Sequence, residues 1–242
     1  ENAIHHRGPD DHGQYLSEKR DIGLGFRRLS IIDIKSGAQP MTNMNGDIHL
    51  VFNGEIYNHK SLRQILLNRG HTFKTSSDTE SILNGYAEWG FKVVNHLRGM
   101  FSFGIWDSKK NLLFLARDRL GIKPLYYYSK NGKFAFSSEI KSLLSLRYIK
   151  KEINEESLFH YLSLAASPSP ETMFRNINKL EPGHTLIVKA NGDIQKKQYW
   201  CPAINREIVK HSEMEIIEKL RILLEESVKM RMMSDVPYGA FL

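Results

Sequence analysis

The spacing of apolar positions divides the chain into a β-rich body, helices set between its strands, and a helical tail. Ile48, Leu50 and Phe52 alternate with His49, Val51 and Asn53, which predicts a strand. Ile22, Leu24 and Phe26 alternate with glycines and predict another, with close backbone approach. Phe101, Phe103 and Ile105 alternate with small residues. Residues 112–117, 125–128 and 134–136 continue the β-rich stretch, and 184–188 with 194–200 form a later hairpin. Asn45-Gly46, Asn131-Gly132 and Asn191-Gly192 supply hairpin turns.

Helical spacing appears elsewhere. Ser61-Leu62-Arg63-Gln64 has the form of a capping box ahead of a face of Leu62, Ile65 and Leu66, ended by Gly70. Ser76-Ser77-Asp78-Thr79-Glu80 opens a second helix burying Ile82, Leu83, Tyr86 and Trp89, with Gly90 as terminator. Asp78 is expected there as the cap, with a ligand ammonium as its rival partner. Ser138-Glu139-Ile140-Lys141 starts a short helix, and Asn154 caps one carrying Leu158, Tyr161 and Leu162. Ser212-Glu213-Met214-Glu215 is a capping box before a stripe of Ile216, Ile217, Leu220, Leu223, Leu224 and Val228. Hairpins in succession, with helices between strand groups, predict an α+β fold of antiparallel sheets covered by helices, not alternating βαβ units.

Composition narrows the class. The 242 residues suffice for one large domain, or one domain and part of a second, and 41% hydrophobic content supports a folded core. The net charge of +7 is spread along the chain, with modest excesses at Lys141, Arg147, Lys150 and Lys151 and at Lys189, Lys196 and Lys197. No aromatic-interleaved basic motif accompanies them, so a solvated face is expected rather than a nucleic-acid partner. One cysteine, Cys201, rules out an intrachain disulfide and gives no sign of an oxidising compartment. It stands beside a proline with no activating neighbour, so it is expected to be incidental. No apolar run reaches membrane-spanning length, and a cytoplasmic location is expected. Glu1 is neither methionine nor part of a signal peptide, so processing or a missing start is expected. Residues 212–242 are expected to open a truncated second domain.

Three places carry candidate chemistry. Asn53-Gly54-Glu55 is expected to break the strand in a turn, gathering an amide, a bare backbone N–H and a carboxylate; these groups suit an oxyanion hole beside a cationic substrate group. One arginine of the Arg27-Arg28 pair is expected to face inward toward a carboxylate, either internal or of a substrate. His5 and His6 have no metal-ligand spacing and are expected to be exposed or hydrogen-bonded.

The ordered motifs add a resemblance. His6-Arg7-Gly8-Pro9-Asp10, Arg28-Leu29-Ser30-Ile31-Ile32-Asp33, Ala38-Gln39-Pro40, Asn53-Gly54-Glu55-Ile56-Tyr57-Asn58 and Ser77-Asp78-Thr79-Glu80 stand in the order found in the glutamine-hydrolysing asparagine synthetases. So do Arg117-Asp118-Arg119-Leu120-Gly121-Ile122-Lys123-Pro124, Ser138-Glu139-Ile140-Lys141 and Asp235-Val236-Pro237-Tyr238-Gly239-Ala240-Phe241-Leu242. Nearly all of the chain resembles that family's class II glutamine amidotransferase domain. The resemblance implies an N-terminal nucleophile hydrolase fold, an αββα sandwich over 1–203, followed over 204–242 by a linker and the start of an α/β ATP-pyrophosphatase domain. It implies that Arg28 binds the α-carboxylate of glutamine, Glu55 and Asp78 its α-ammonium, and Asn53 with the Gly54 N–H the oxyanion. The backbone of Leu29, Ser30, Ile31 and Ile32 would line the pocket, and Leu242 would touch ATP. Glutamine, aspartate and ATP with Mg²⁺ are then the expected small molecules of the full-length enzyme, with no cofactor for the present chain alone and a homodimer as one option. The family's N-terminal Met-Cys-Gly-Ile and its Ser-Gly-Gly-x-Asp-Ser loop are not in the sequence, so a piece lacking nucleophile and pyrophosphate loop is expected. The alternatives are another ligase with the same front end, or a non-catalytic glutamine-binding or assembly module.

Overall fold

The architecture is built outward from one strand. In the computed structural model, which describes residues 2–29, 37–202, 211–233, Pro237 and Gly239, β4 (Ile48–Ile56) buries six of its nine residues. It pairs antiparallel with β5 (Gly99–Asp107) along its whole length. β3 (Met41–Thr42) borders it on the other side. Beyond β5 lie β6 (Leu112–Arg117), β10 (His184–Lys189) and β11 (Ile194–Gln198), giving a six-stranded sheet of order β11-β10-β6-β5-β4-β3. Two smaller sheets complete the β-structure, β1 (Asp11–Leu16) with β2 (Gly23–Arg28), and β8 (Lys133–Ser137), β7 (Tyr126–Lys130) and β9 (Ile177–Lys179). Every ladder between these strands is antiparallel.

The two faces of the large sheet are covered differently. One packs α1 (His59–Asn68) and α2 (Asp78–Trp89) through Leu62, Ile82, Leu83 and Tyr86 against Leu50, Phe52, Phe103, Ile105 and Phe114. Each fully buried side chain of this kind contributes about 1.5–3 kcal/mol. The opposite face meets the small sheets, through Val51, Trp106 and Leu24 on one side and Leu115, Leu125, Leu180 and Phe136 on the other. α3 (Ile140–Leu144) covers the outside of the three-stranded sheet with Leu143 against Tyr128 and Ile177. The layers therefore run helix, sheet, sheet, helix, as expected for an αββα sandwich.

Several local expectations need correction. β4 does not break at Asn53-Gly54; the pairing continues with Asn53 opposite Ser102, Gly54 opposite Phe101 and Glu55 opposite Met100. Pairing with β5 overrides the local turn preference. α1 begins at His59, and its N-cap Asn58 makes no side-chain cap bond. Ser61 lies inside the helix, its Oγ donating to the Asn58 carbonyl, so the capping box does not form. Ile65, expected on the buried face, is 45% exposed. At α2 the cap is Ser77, whose side chain accepts from Thr79 N–H; Asp78 is already helical.

α4 (Glu155–Leu164) is capped by Asn154 as expected, but of its residues only Ser157 is buried. Tyr161 and Leu162 are exposed. α5 (Glu213–Arg231) forms behind the complete Ser212–Glu215 capping box, yet buries no residue. Ties between it and the body include Arg98 to Glu226 at 2.9 Å and Arg231 over the Tyr57 ring at 5.0 Å. Beyond Met233, all of the second-domain start expected over 212–242 except Pro237 and Gly239 lies outside the described residues.

Candidate active site

The C-terminal end of β4 holds the three residues the sequence singles out. Gly54 has φ +150°, and a Cβ there would stand 2.0 Å from the Met100 carbonyl oxygen and 2.8 Å from Phe101 Cα. Both are backbone atoms of the paired strand, so the position demands glycine. Next to it, Asn53 Nδ2 donates to Ser138 Oγ at 3.4 Å. That contact is long for a hydrogen bond but orients the amide beside Gly54.

Asp78 meets the strand from α2. It is only 4% exposed, and its Oδ2 accepts the Ile56 N–H at 2.9 Å. Burial pushes its pKa up to about 6, against the pull of the Ile56 and Thr79 N–H groups, and the nearby Glu55 charge adds to the rise. The half-buried Glu55 is raised too, by burial first, with Lys123 opposing. Two carboxylates whose ionised forms are both disfavoured make an environment that a cation would relieve.

Arg28 ends β2 and is 7% exposed, so it is the inward member of the arginine pair. Leu29, beside it, is 57% exposed. Arg28, Leu29, Asn53, Gly54, Glu55 and Asp78 all line one open cleft of about 1480 Å³. Ser30, Ile31, Ile32 and Leu242 lie outside the described residues. Cys201 is exposed and is not in the cleft wall.

The cleft also contains residues to which sequence reasoning gave no role. Gln39 Oε1 accepts the Phe52 N–H at 2.6 Å, and its Nε2 donates to Thr79 Oγ1 at 3.4 Å, so one amide ties β4 to α2. Lys123 enters from the 118–123 connection. The buried Asp118 carboxylate accepts the N–H groups of Leu120, Ile122, Lys123 and Phe101, at 3.0 to 3.2 Å. Arg117 donates to the carbonyls of Lys123, Gly121 and Leu180 at 2.6 to 2.8 Å. The Arg117-Asp118 pair thus folds the connection around its own backbone and delivers Lys123 near Glu55. The motifs at 38–40 and 117–124 were the available signals, because a polar side chain fixed among turn residues often serves backbone groups.

His6 is hydrogen-bonded, as expected, with Nε2 2.9 Å from Glu139 Oε1. Among the described residues no His, Cys, Asp and Glu group could hold a metal, and no helix is long and apolar enough to cross a membrane.

A buried cation, a pair of carboxylates and an amide donor beside a position that demands glycine thus line one cleft between antiparallel layers. The comparisons identify the class more closely. Residues 1–200 match the glutamine amidotransferase domain family. The chain is 41% identical over 239 residues to asparagine synthetase [glutamine-hydrolyzing] 1 of Bacillus subtilis, covering 99% of this chain and 37% of that protein. It is 39% identical over 241 residues to asparagine synthetase [glutamine-hydrolyzing] 3 of the same organism, covering 98% and 38%. The chain thus spans less than two fifths of either relative. The solved structure of glutamine phosphoribosylpyrophosphate amidotransferase from B. subtilis, in complex with ADP and GMP, superposes with a TM-score of 0.57. It is 19% identical, with 84% of this chain and 45% of that one covered, and it supports the fold alone. The chain belongs to the glutamine amidotransferase domain family.

Proposed function

We propose that this chain is the glutamine-hydrolysing part of an asparagine synthetase, a cytoplasmic enzyme in which ammonia released here amidates aspartate at the expense of ATP. The observation that carries the reading is the convergence of Arg28, Asn53, Gly54, Glu55 and Asp78 on one cleft. In this reading Arg28 holds the α-carboxylate of glutamine, a charge-assisted contact that can be bidentate. Glu55 and Asp78 take the α-ammonium, which supplies the cation their buried carboxylates call for. The side-chain amide then points toward Asn53 and Gly54. A thiolate attacks the amide carbon, the carbonyl π electrons move to oxygen, and Asn53 Nδ2 and the Gly54 N–H receive the oxyanion. Collapse of the adduct expels ammonia after proton transfer to nitrogen, and water releases glutamate from the thioester.

The resemblance assigns the thiol to an N-terminal cysteine, the backbone of Leu29, Ser30, Ile31 and Ile32 to the pocket wall, and Leu242 to ATP contact. Residues 1–203 are then the amidotransferase domain and 204–242 the lead into the ATP-dependent one.

The test is glutamine hydrolysis by the full-length protein, followed by asparagine formation from aspartate and ATP. Ammonia released from glutamine but no asparagine would keep the glutaminase and point to a different acceptor. No release from glutamine would support a glutamine-binding module.

A further inference from the structure

The structure contains a link between the two ends of this site that the reading above does not use. β2, which ends in Arg28, belongs to a two-stranded sheet that is not hydrogen-bonded into the six-stranded sheet carrying Asn53. Sheet pairing therefore does not fix Arg28 relative to Asn53. Packing of Leu24 on Val51 and Trp106 holds the two sheets face to face, and residues 6–10 with the 137–139 corner add a polar link at the site itself. Asp10 N–H donates to the Arg28 carbonyl at 3.1 Å, and Pro9 bridges to Arg28. Gly8 lies so close that a Cβ would stand 2.5 Å from Arg28 N.

The same segment then reaches Glu139. His6 Nε2 and Arg7 Nη1 lie 2.9 and 3.2 Å from Glu139 Oε1, and Lys141 Nζ lies 3.3 Å from Oε2. Lys141 also approaches the His6 ring at 3.2 Å. Burial raises the pKa of Glu139, but the hydrogen bonds from His6, Lys141 and Arg7 together bring it below the usual carboxylate range. Its own N–H donates to Ser137 Oγ at 3.2 Å, and its neighbour Ser138 accepts the Asn53 amide.

We propose that Glu139 is a positioning residue for glutamine hydrolysis. It closes a path from Arg28 through residues 6–10 and Ser138 to Asn53, and so sets the span between the α-carboxylate contact and the oxyanion contact. The proposal rests on the amidotransferase reading. A misplacement of about 1 Å in a positioned group can cost about a hundredfold in rate, whereas partly exposed ion pairs contribute little to stability. The two effects therefore separate.

The experiment compares Glu139→Gln and Glu139→Ala with the parent full-length protein in glutamine hydrolysis, thermal unfolding and amide hydrogen exchange. The expected kcat loss is about tenfold for Gln and about a hundredfold for Ala, with KM much less changed. Gly8 and Asp10 amides should exchange faster in both variants while the melting temperature stays near that of the parent. Parental kcat in Glu139→Ala overturns the proposal, as does unchanged exchange at Gly8 and Asp10. Loss of activity together with a sharply lower melting temperature and faster exchange throughout also overturns it, since Glu139 would then serve the fold at large. If the parent itself releases no ammonia, the amidotransferase reading fails, and the exchange measurement alone decides whether Glu139 holds residues 6–10.

Discussion

Two Asn-Gly pairs in this chain carry the same local signal and end in different structures. Asn131-Gly132 joins β7 to β8 with both residues at positive φ, 53° and 69°. Nothing lies within 4 Å of where a Gly132 Cβ would be. Asn53-Gly54 sits inside a paired strand, with Gly54 pressed onto the backbone of β5. At the hairpin, glycine answers to torsion alone. At the site it answers to a neighbouring strand, and the asparagine beside it is left facing a cleft. The dipeptide thus specifies backbone freedom, and tertiary pairing decides how that freedom is used.

The largest expected effect separates the two glycines. Gly54→Ala must push β5 away or leave its torsion, and strain with overpacking should cost about 3–5 kcal/mol in urea unfolding. Gly132→Ala meets no atom and carries only the positive-φ penalty, about 1–2 kcal/mol. Equal destabilisation of the two variants would break the comparison.

The two asparagines should differ next, in rate instead of stability. In the full-length protein, Asn53→Ala should lower kcat for glutamine by about 10²–10³, the usual effect of one lost oxyanion donor, with KM changed much less. Asn53→Asp should be worse, because it sets a negative charge against a negative intermediate. Asn131→Ala should leave kcat at the parental value. An Asn53→Ala enzyme with parental kcat would end the oxyanion assignment. A smaller loss is expected at the far end of the cleft. Arg28→Ala should reduce kcat/KM by about 10- to 100-fold, corresponding to a charge-assisted contact of about 1.5–3 kcal/mol. Steady-state kinetics at saturating and limiting glutamine separates this from a purely structural ion pair, which would lower the melting temperature and spare KM.

The same distinction between local and tertiary signals explains how much was legible in the sequence. The strand periods, the Asn131-Gly132 and Asn191-Gly192 turns, the Asn154 cap and the Ser212–Glu215 capping box are local, and the structure has them all. Arg28 was legible as one of two candidates, since a cation between apolar neighbours needs burial on one side. Burial of a helix face was less legible. α2 and α5 both show a capped apolar stripe, but α2 faces the sheet and α5 exposes its stripe. An amphipathic pattern states that a face can be covered and leaves open by what. Gln39, Lys123 and Glu139 were missed as contributors because each works through partners more than ten residues away in sequence. Their motifs were visible; their contacts belong to the fold.

The smallest expected effect tests the carboxylate that ties the site dipeptide's strand to α2. Asp78 accepts the Ile56 N–H two residues beyond Gly54, whereas the hairpin dipeptide closes within its own two strands. The folded-state pKa of Asp78, about 6, lies above the ordinary value of 3.8. Its native form therefore holds a proton that the unfolded chain releases, and its contribution to stability is fully present below pH 4 and lost as pH rises through 6. Binding should run the opposite way, because an α-ammonium favours the ionised carboxylate. Between pH 5 and 7 the ionised fraction rises about tenfold for a pKa near 6, so KM for glutamine should fall by about that factor, worth about 1.4 kcal/mol. Asp78→Asn should flatten both trends, raising the urea midpoint at pH 7 relative to the parent while weakening glutamine. Glu55 titrates beside it, also raised by burial, so the KM profile should keep a shallower residual slope in the Asn variant. A parental protein whose KM is flat from pH 5 to 7, or whose stability climbs with the ionisation of Asp78, would remove Asp78 from the ammonium site.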